Sequence, residues 1–401
     1  MRFEKTFIPY GGYWSTPFSK WQGSLSNCHA LRLAAQAGRS FLDARSIDPS
    51  IFDGVTLGTT VIQKHGLYGA PWLAAMLGAE GVTGPTIMQA CATGARTLAT
   101  AAGEVELSEN RTLLTVAADR CSNGPHVYYP NPAGPGGTGD KEDWVMDGFG
   151  FDPHARNSMI QTAENVAAKA GITREEQDAC TLVRYEQYQQ ALADDRAFQK
   201  RYMLTPFEAK DDRGRKVVAT LETDEGVFPT TADGLAKLRP MMPEGTVTFG
   251  SQTHPADGNA GVVLCSRERA AELSSDKKVT VQLLSYAEAK TEKGYMAMAV
   301  VPAAERACAS AGVALKDVKA IKTHNPFAVN DVYFSRTTGI AIEDFNRYGS
   351  SLIFGHPQGP TGTRLLLELI EELALAGGGV GCFAGCAAGD SAAALVVKVD
   401  A

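Results

Sequence analysis

The sequence lacks the patterns that mark several large classes of protein. Its net charge is -7 over 401 residues, so the chain as a whole does not attract nucleic acid or an anionic membrane. Residues 1–14 contain no apolar segment of the kind found in a secretion signal, and the most hydrophobic helical stretch, residues 365–376, is interrupted by acids. We therefore expect a cytoplasmic protein with no nucleic-acid or membrane partner.

The cysteines also lack the spacing of disulfide modules and metal sites. Eight cysteines are scattered along the chain without a C-x-x-C pair, and the seven histidines do not cluster with them at zinc-ligand spacing. In a reducing compartment most such thiols are small buried hydrophobic groups. We expect free thiols, no metal and no permanently bound cofactor.

What the sequence does contain is an alternation of helix and strand that occurs twice. Residues 29–47 repeat apolar positions at helical spacing and residues 47–61 turn into a β-branched strand; residues 302–325 follow the same order. A strand, a small-residue turn and a helix over residues 86–107 recur over residues 351–374. This duplication predicts an α/β fold with two mostly parallel sheets and helices on their faces.

A region of different character separates the two copies. It opens with a stretch rich in glycine and proline, includes predicted helices over residues 158–171 and 173–195, and contains a charged stretch over residues 210–218. A connection of this length with its own helices is typical of a cap. The predicted organisation is a first half made of residues 1–121 and 244–276, an inserted cap over residues 122–243, and a second half over residues 277–401.

One cysteine, Cys91, lies where a predicted strand ends and a predicted helix begins. The backbone N–H groups and the positive dipole end of a helix favour a thiolate at such a place, which suits a nucleophile. A buried structural cysteine under a tight turn of small residues is an equally good interpretation of this stretch alone.

The second half offers partners for a thiol nucleophile. His356 occupies the corresponding corner, so two halves packed with pseudo-twofold symmetry would bring this possible base to Cys91. His324 and Asn325 end another predicted strand and could stabilise an oxyanion, or simply cap the strand. Cys382 and Cys386 lie among small residues, where a second thiol could act as an acid or base or merely pack in a tight turn.

Four motifs in this order resemble those of the thiolase family. They are QACATG at residues 89–94, HNPFA at 324–328, GHP at 355–357 and CFA at 382–384, and the likeness covers nearly the whole chain. The resemblance implies a duplicated five-layer α-β-α-β-α fold with an inserted loop domain that covers coenzyme A. It also implies an acyltransferase whose substrates are acyl-CoA and CoA.

The resemblance further implies the roles of individual residues. Cys91 would be the nucleophile that carries the acyl group, His356 its base and Cys382 the acid/base. His324 and the backbone N–H of Ala384 would stabilise the oxyanions. The implied reaction is the ping-pong cleavage of a 3-oxoacyl-CoA by CoA, or the reverse Claisen condensation.

The implied binding residues differ in part from the usual thiolase pattern. Asn325 and Pro326 stand where the family usually has Glu and a small residue, and Ala384 replaces a glycine. We therefore expect an acyl group other than acetoacetyl, namely a longer, branched, aromatic or dicarboxylic one. The positions implied to contact the substrate or CoA are Ser158, Met159, Thr253, His254, Asn325 and Phe327, together with Arg213, Arg215 and Lys216 for the phosphates unless these form a solvated charged turn.

Two other classes of function remain open at this point. The chain could be a condensing enzyme of the ketoacyl synthase or hydroxymethylglutaryl-CoA synthase kind, or a subunit that kept the fold without the chemistry. By resemblance, we expect a homodimer or homotetramer, with a small accessory subunit as a further possible partner.

Overall fold

Two mixed β-sheets and the helices on their faces form the body of the protein in this computed structural model, which describes residues 1–108 and 111–401. The helices are α1 Ala30–Ala44, α2 Gly69–Leu77, α3 Thr93–Leu107, α4 Met146–Gly150, α5 Met159–Ala170, α6 Arg174–Arg196, α7 Ala232–Ala236, α8 Arg267–Leu273, α9 Val300–Ala311, α10 Ala328–Thr338, α11 Ser351–Phe354 and α12 Gly359–Leu375. None of the described helices is long and apolar enough to cross a membrane.

The strands contribute to the two large sheets and to two separate hairpins. They are β1 Phe7–Ile8, β2 Tyr13–Ser15, β3 Ser19–Lys20, β4 Gly54–Gly58, β5 Thr86–Ile87, β6 Leu113–Arg120, β7 His126–Pro130, β8 Gly139–Asp143, β9 Phe207–Lys210, β10 Val217–Leu221, β11 Ala256–Leu264, β12 Thr280–Lys290, β13 Ala320–His324, β14 Gly379–Ala387 and β15 Ser391–Asp400.

Each large sheet combines parallel and antiparallel pairs. The first has the order β2-β11-β6-β4-β5, with β3 also beside β11, and the second has the order β1-β12-β15-β14-β13. Strand β4 is parallel to β5 and β6, and β13 is parallel to β14, whereas β11 and β15 run antiparallel to their neighbours. The prediction of mostly parallel sheets is therefore wrong. Between β14 and β15 the reason is the short turn over residues 388–390, which is too short for a parallel crossover.

The helices complete five layers. Helices α3 and α12 contact each other and both sheets, so they form the central layer. Helices α1 and α2 cover the outer face of the first sheet, and α9 covers the outer face of the second. The predicted α-β-α-β-α order is confirmed, although residues 351–354, expected to be a strand, form the short helix α11.

The segment over residues 122–243 is fixed to this body by buried ion pairs. Asp224 accepts two hydrogen bonds from Arg364 of α12, at 2.6 and 2.8 Å, and Arg184 of α6 donates to Asp331 of α10 at 2.7 Å. These side chains are at most 1% exposed. Because removing either partner would leave a buried charge unpaired, these pairs hold the segment in one position. The three predicted domain boundaries stay predictions.

Candidate functional site

Cys91 lies in a tight turn between β5 and α3. Ala90 has a φ of +44°, and Thr93 closes the turn by accepting from the Gln89 N–H at 2.8 Å and donating to the Ala90 carbonyl at 2.7 Å. A left-handed conformation is unfavourable for alanine, so the surrounding turn has to hold it. The sulfur is thereby presented at the surface of a cavity.

The helices behind the two corners pack closely together. A Cβ on Gly94 would come within 2.4 Å of the Gly359 carbonyl oxygen, so the N-termini of α3 and α12 meet only because residue 94 is glycine. This contact brings the GHP turn to Cys91. The predicted meeting of the two corners is observed: the Cys91 sulfur and one ring nitrogen each of His324 and His356 lie within 4.8 Å of one another.

Hydroxyl groups orient both imidazoles. The Nδ1 atoms of His324 and His356 are 2.8 Å from Ser351 Oγ and 2.6 Å from Thr361 Oγ1, respectively. Each Nε2 is buried without a hydrogen-bond partner, and the ring centroids are 4.0 Å apart. Fixing Nδ1 leaves Nε2 of each ring free to exchange a proton or bind a ligand.

Burial controls the protonation of these groups. It raises the pKa of the Cys91 thiol to about 11, although the Ala388 backbone N–H acts in the opposite direction. Burial lowers the pKa of His324 to about 3, and burial together with the neighbouring His324 lowers the pKa of His356 well below its usual value. The resting site therefore holds a thiol and two neutral imidazoles. The backbone N–H groups act toward a thiolate, as expected, but desolvation outweighs them.

The second thiol near Cys91 is Cys386, and the assignment of Cys382 as the acid/base is wrong. Both lie on β14, four residues and about 13 Å apart at the usual strand rise. Cys382 lies beside Cys308 of α9, close enough for each thiol to shift the pKa of the other, and its Sγ donates to the Phe383 carbonyl at 3.6 Å. Cys386 lies at the end of the strand, accepts from Asn330 Nδ2 at 3.1 Å, and has a pKa raised by burial and by the proximity of Cys91.

The assignment of Ala384 to the oxyanion hole fails for the same reason. Ala384 lies inside the sheet, fully buried between Thr323 of β13 and Ala394 of β15, and does not reach the cavity. Ala388, in the turn after β14, lines the cavity beside Cys91. Its backbone N–H lies near enough to the sulfur to lower the pKa of the Cys91 thiol, which makes it a candidate donor to an oxygen that develops there.

Two neighbouring cavities lie at the site. The first has a volume of about 600 Å³ and is lined by Cys91, His356 and three predicted binding residues, Ser158, Met159 and Phe327. The second, of about 470 Å³, is lined by the predicted residue His254. Thr253, also predicted, and Gln252 line both cavities, so they lie where the two cavities adjoin.

His254 also shapes the GHP turn. Gly355 has a φ of +89°, and a Cβ there would lie 2.6 Å from His254 Nε2, so only glycine fits this position. The His254 carbonyl accepts the His356 N–H at 2.9 Å. His254 therefore contributes to the position of His356.

The structure does not bring the remaining predicted binding residues to either cavity. Asn325 is fully buried, donates to Asp331 at 2.5 Å and accepts from Leu352 N–H at 3.1 Å, so it holds the chain around His324. Arg213, Arg215 and Lys216 lie in the exposed turn between β9 and β10 and line neither cavity. Their exposure is that of a solvated charged turn, the alternative stated for this stretch, and their contact with the CoA phosphates stays a prediction.

Sequence reasoning missed two polar residues at the site. Gln358 follows the GHP motif directly, and its Oε1 accepts the Cys91 thiol at 3.2 Å. Lys20 lines the second cavity beside Trp21, Phe228 and Phe249. A glutamine immediately after GHP could have been noticed in the sequence, whereas nothing in the pattern around Lys20 indicated a ligand.

Comparisons with known proteins give one consistent result. The family model described as "Thiolase, N-terminal domain" matches residues 13–268, and "Thiolase, C-terminal domain" matches residues 277–399. The chain is 30% identical over 391 residues to acetyl-CoA acetyltransferase 2 of Arabidopsis thaliana, covering 96% of this chain and 95% of that protein. It is 27% identical to the mitochondrial 3-ketoacyl-CoA thiolase of Homo sapiens, covering 96% of each.

Solved structures agree with these sequence relatives. The crystal structure of human mitochondrial 3-ketoacyl-CoA thiolase in complex with CoA is similar with a TM-score of 0.88 at 25% identity, covering 99% of this chain and 98% of that one. The acetyl-CoA acetyltransferase of Bacillus anthracis also has a TM-score of 0.88, at 26% identity and 99% coverage of both chains.

Proposed function

We propose a reaction for this chain, which belongs to the thiolase family of acyltransferases. It cleaves a 3-oxoacyl-CoA that has a bulky, uncharged acyl group, and the reaction is a ping-pong one through Cys91. The observation that carries this proposal is the convergence of the Cys91 thiol with two neutral imidazoles at one end of a large apolar cavity.

The first half-reaction transfers the acyl group to the protein. His356 Nε2 takes the Cys91 proton as the sulfur attacks the 3-oxo carbon, and the backbone N–H groups of Cys91 and Ala388 stabilise the oxyanion. The bond between C2 and C3 breaks, and the departing acetyl-CoA carbanion takes a proton from Cys386. His324 and His356 stabilise the charge on the thioester oxygen.

The second half-reaction returns the protein to its resting state. Free CoA gives its thiol proton to the Cys386 thiolate and attacks the acyl group on Cys91. The shortened acyl-CoA leaves, and His356 returns the proton to Cys91. The same groups run the Claisen condensation in reverse.

The lining of the first cavity supports a bulky, uncharged acyl group. A volume of about 600 Å³ exceeds what a two-carbon unit needs and falls in the range of sites for drug-sized ligands. Its apolar side chains include those of Val61, Trp144, Met146, Phe149, Met159 and Met296. The lining contains Glu142 and no lysine or arginine among the described residues, which disfavours a dicarboxylic acyl group.

The second cavity supports a place for CoA. It opens next to the exposed rings of Phe228 and Phe249, 70% and 67% exposed, which offer surfaces on which adenine could stack. Lys20 is the cation of this lining, and it could pair with a phosphate. The pantetheine arm would then run past Gln252 and Thr253, which line both cavities, to Cys91.

An exposed sheet edge supports a homodimer. Strand β5 ends the first sheet, and exposed apolar side chains lie near it. Met88, directly after the strand, is 55% exposed, and Leu67 and Tyr68, just before the segment whose Ala70 N–H donates to Thr86 of β5, are 96% and 67% exposed. An open strand edge beside apolar side chains is a surface that a second copy can cover. Met88→Lys should lower the mass measured by analytical ultracentrifugation, whereas Leu107→Lys, an exposed leucine at the end of α3, should not; equal masses for both variants would contradict the dimer.

The homotetramer and the accessory subunit stay predictions. We also propose the cytoplasm as the compartment, which the eight free thiols support.

The deciding experiment is a substrate panel. CoA-dependent cleavage should be measured with 3-oxoacyl-CoAs that are short, long, branched, aromatic or dicarboxylic, the last matched in length to an uncharged chain. We expect bulky uncharged substrates to have the highest kcat/KM. Cleavage of none of them, together with decarboxylative condensation, would indicate the condensing-enzyme alternative, and CoA binding without any acyl adduct on Cys91 would indicate a non-catalytic subunit.

A further inference from the structure

Three side chains at the site form a cluster that sequence spacing concealed. Cys91, His324 and His356 come from three distant segments, yet the sulfur and one nitrogen of each ring lie within 4.8 Å of one another. The expectation that cysteine and histidine do not cluster holds along the sequence and fails in space.

Both histidines have one ring nitrogen held and the other buried and unpartnered, with their ring centroids 4.0 Å apart. His324 is 1% exposed and His356 is 4% exposed, and in each the Nε2 is buried without a partner. Their Nδ1 atoms are held by Ser351 and Thr361, and an outer hydrogen bond of this kind fixes the tautomer and the direction of a metal-binding ring.

The donor set suits a borderline-soft divalent ion. One thiolate and two imidazoles are common zinc ligands, and a tetrahedral zinc ion would place these atoms about 3.3–3.6 Å apart. The three ligand atoms lie within 4.8 Å of one another, so binding would require them to move closer together. The fourth position would go to water or to Gln358 Oε1, which already lies 3.2 Å from the sulfur.

We propose that Cys91, His324 and His356 form a binding site for Zn²⁺ that competes with acylation of Cys91. As the S–Zn bond forms, the Cys91 S–H bond breaks and its proton goes to solvent; no electrons are transferred. Zinc at this position ties up the sulfur and both ring nitrogens, so a chain that holds zinc cannot form the acyl-enzyme. An acylated or alkylated Cys91 in turn cannot ligate zinc with its sulfur.

Metal binding can be measured directly on the full-length protein, without an activity assay. Protein freed of metal with a chelator is titrated with Co²⁺ as a spectroscopic probe, and Zn²⁺ affinity is measured by competition with a chromogenic chelator. We expect one tight site per chain with a thiolate-to-cobalt charge-transfer band. Absence of that band in the wild-type protein would overturn the proposal.

Variants then identify the ligands. His324→Asn removes one ligand and should weaken Zn²⁺ binding at least about 10-fold. His126→Asn, which changes an exposed histidine in β7, is the matched control and should leave the affinity unchanged. Equal Zn²⁺ affinity in both variants would overturn the proposal.

A chemical block makes the test independent of whether a variant folds. Wild-type protein whose Cys91 is alkylated with iodoacetamide, as verified by mass spectrometry, should lose the charge-transfer band and the tight site. Retention of both after alkylation of Cys91 would show that the metal lies elsewhere and would overturn the proposal. Because these readouts measure metal alone, they do not depend on the proposed thiolase reaction.

Discussion

Replacing each of the two β14 cysteines with alanine tests which thiol performs the acid/base step. Cys386 and Cys382 lie on the same strand, and both are fully buried. Of these two cysteines, Cys386 is the one close enough to Cys91 for a charge on Cys91 to raise its pKa. Cys386→Ala and Cys382→Ala are therefore matched in chemistry and burial but differ in their distance from the nucleophile.

The expected effects differ by orders of magnitude. A positioned general acid or base contributes about 10²–10⁴-fold to a rate, so Cys386→Ala should lower kcat by that factor. Cys382 is about 13 Å farther along the strand, beyond the reach of a direct proton transfer. Cys382→Ala leaves a small void against Cys308, which should cost about 1 kcal/mol of stability and leave kcat within about threefold of the wild-type value.

The assay separates chemistry from folding. Steady-state cleavage with CoA gives kcat, mass spectrometry after substrate is added without CoA reports acylation of Cys91, and thermal unfolding shows that each variant is folded. Both half-reactions should be slow in Cys386→Ala, because the carbanion needs its proton in the first and CoA loses its proton in the second. A folded Cys382→Ala variant with a 100-fold loss in kcat, beside a nearly normal Cys386→Ala variant, would refute the assignment.

Three further predictions concern the supports of the site. Arg364→Met leaves Asp224 buried without its bidentate partner and should lower the free energy of unfolding by about 3–5 kcal/mol, measured by chemical denaturation, and a loss below 1 kcal/mol would contradict this. Burial raises the pKa of Asp119 to about 6, so its contribution to stability is full below about pH 4 and is lost as the pH rises through 6, by about 3 kcal/mol in all. Chemical denaturation of Asp119→Asn across this pH range should lack this pH-dependent loss of stability. A pH dependence equal to that of the wild-type protein would contradict the role of Asp119. Lys20→Gln should raise the KM for CoA several-fold with kcat preserved, whereas an unchanged KM would remove Lys20 from the phosphate site.

The sequence predicted the parts of the site that depend on local pattern. The boundaries of α3 and α5 follow from helical spacing and turn residues, and the meeting of Cys91 with His356 follows from the duplication. These features depend on short segments or on symmetry between two segments. They can therefore be derived without knowing how distant side chains pack.

Other features depended on details that pattern does not contain. Cys382 and Cys386 lie four residues apart in similar surroundings, and only the end point of β14 decides which one reaches Cys91. The turn that includes Arg213 and Arg215 has the composition of a phosphate site, but β9 packs against α1, away from both cavities. In both cases, the deciding information is where an element ends or packs.

The geometry of the site depends on a carboxylate that touches neither substrate cavity. Asp119, at 1% exposure, accepts from the Thr60 and Val61 N–H groups at 2.7 and 2.9 Å and from the Gly359 N–H at 2.9 Å. It thereby joins the end of β4 to the start of α12, the helix that follows the turn with His356. Burying a carboxylate is unfavourable unless such hydrogen bonds compensate, and a raised pKa shows that the compensation is incomplete. At neutral pH the buried, ionised Asp119 therefore lowers the stability of the fold while its hydrogen bonds hold the turn that contains His356 beside the one that contains Cys91. Mutations at Asp119 should consequently affect the Cys91–His356 geometry as well as stability.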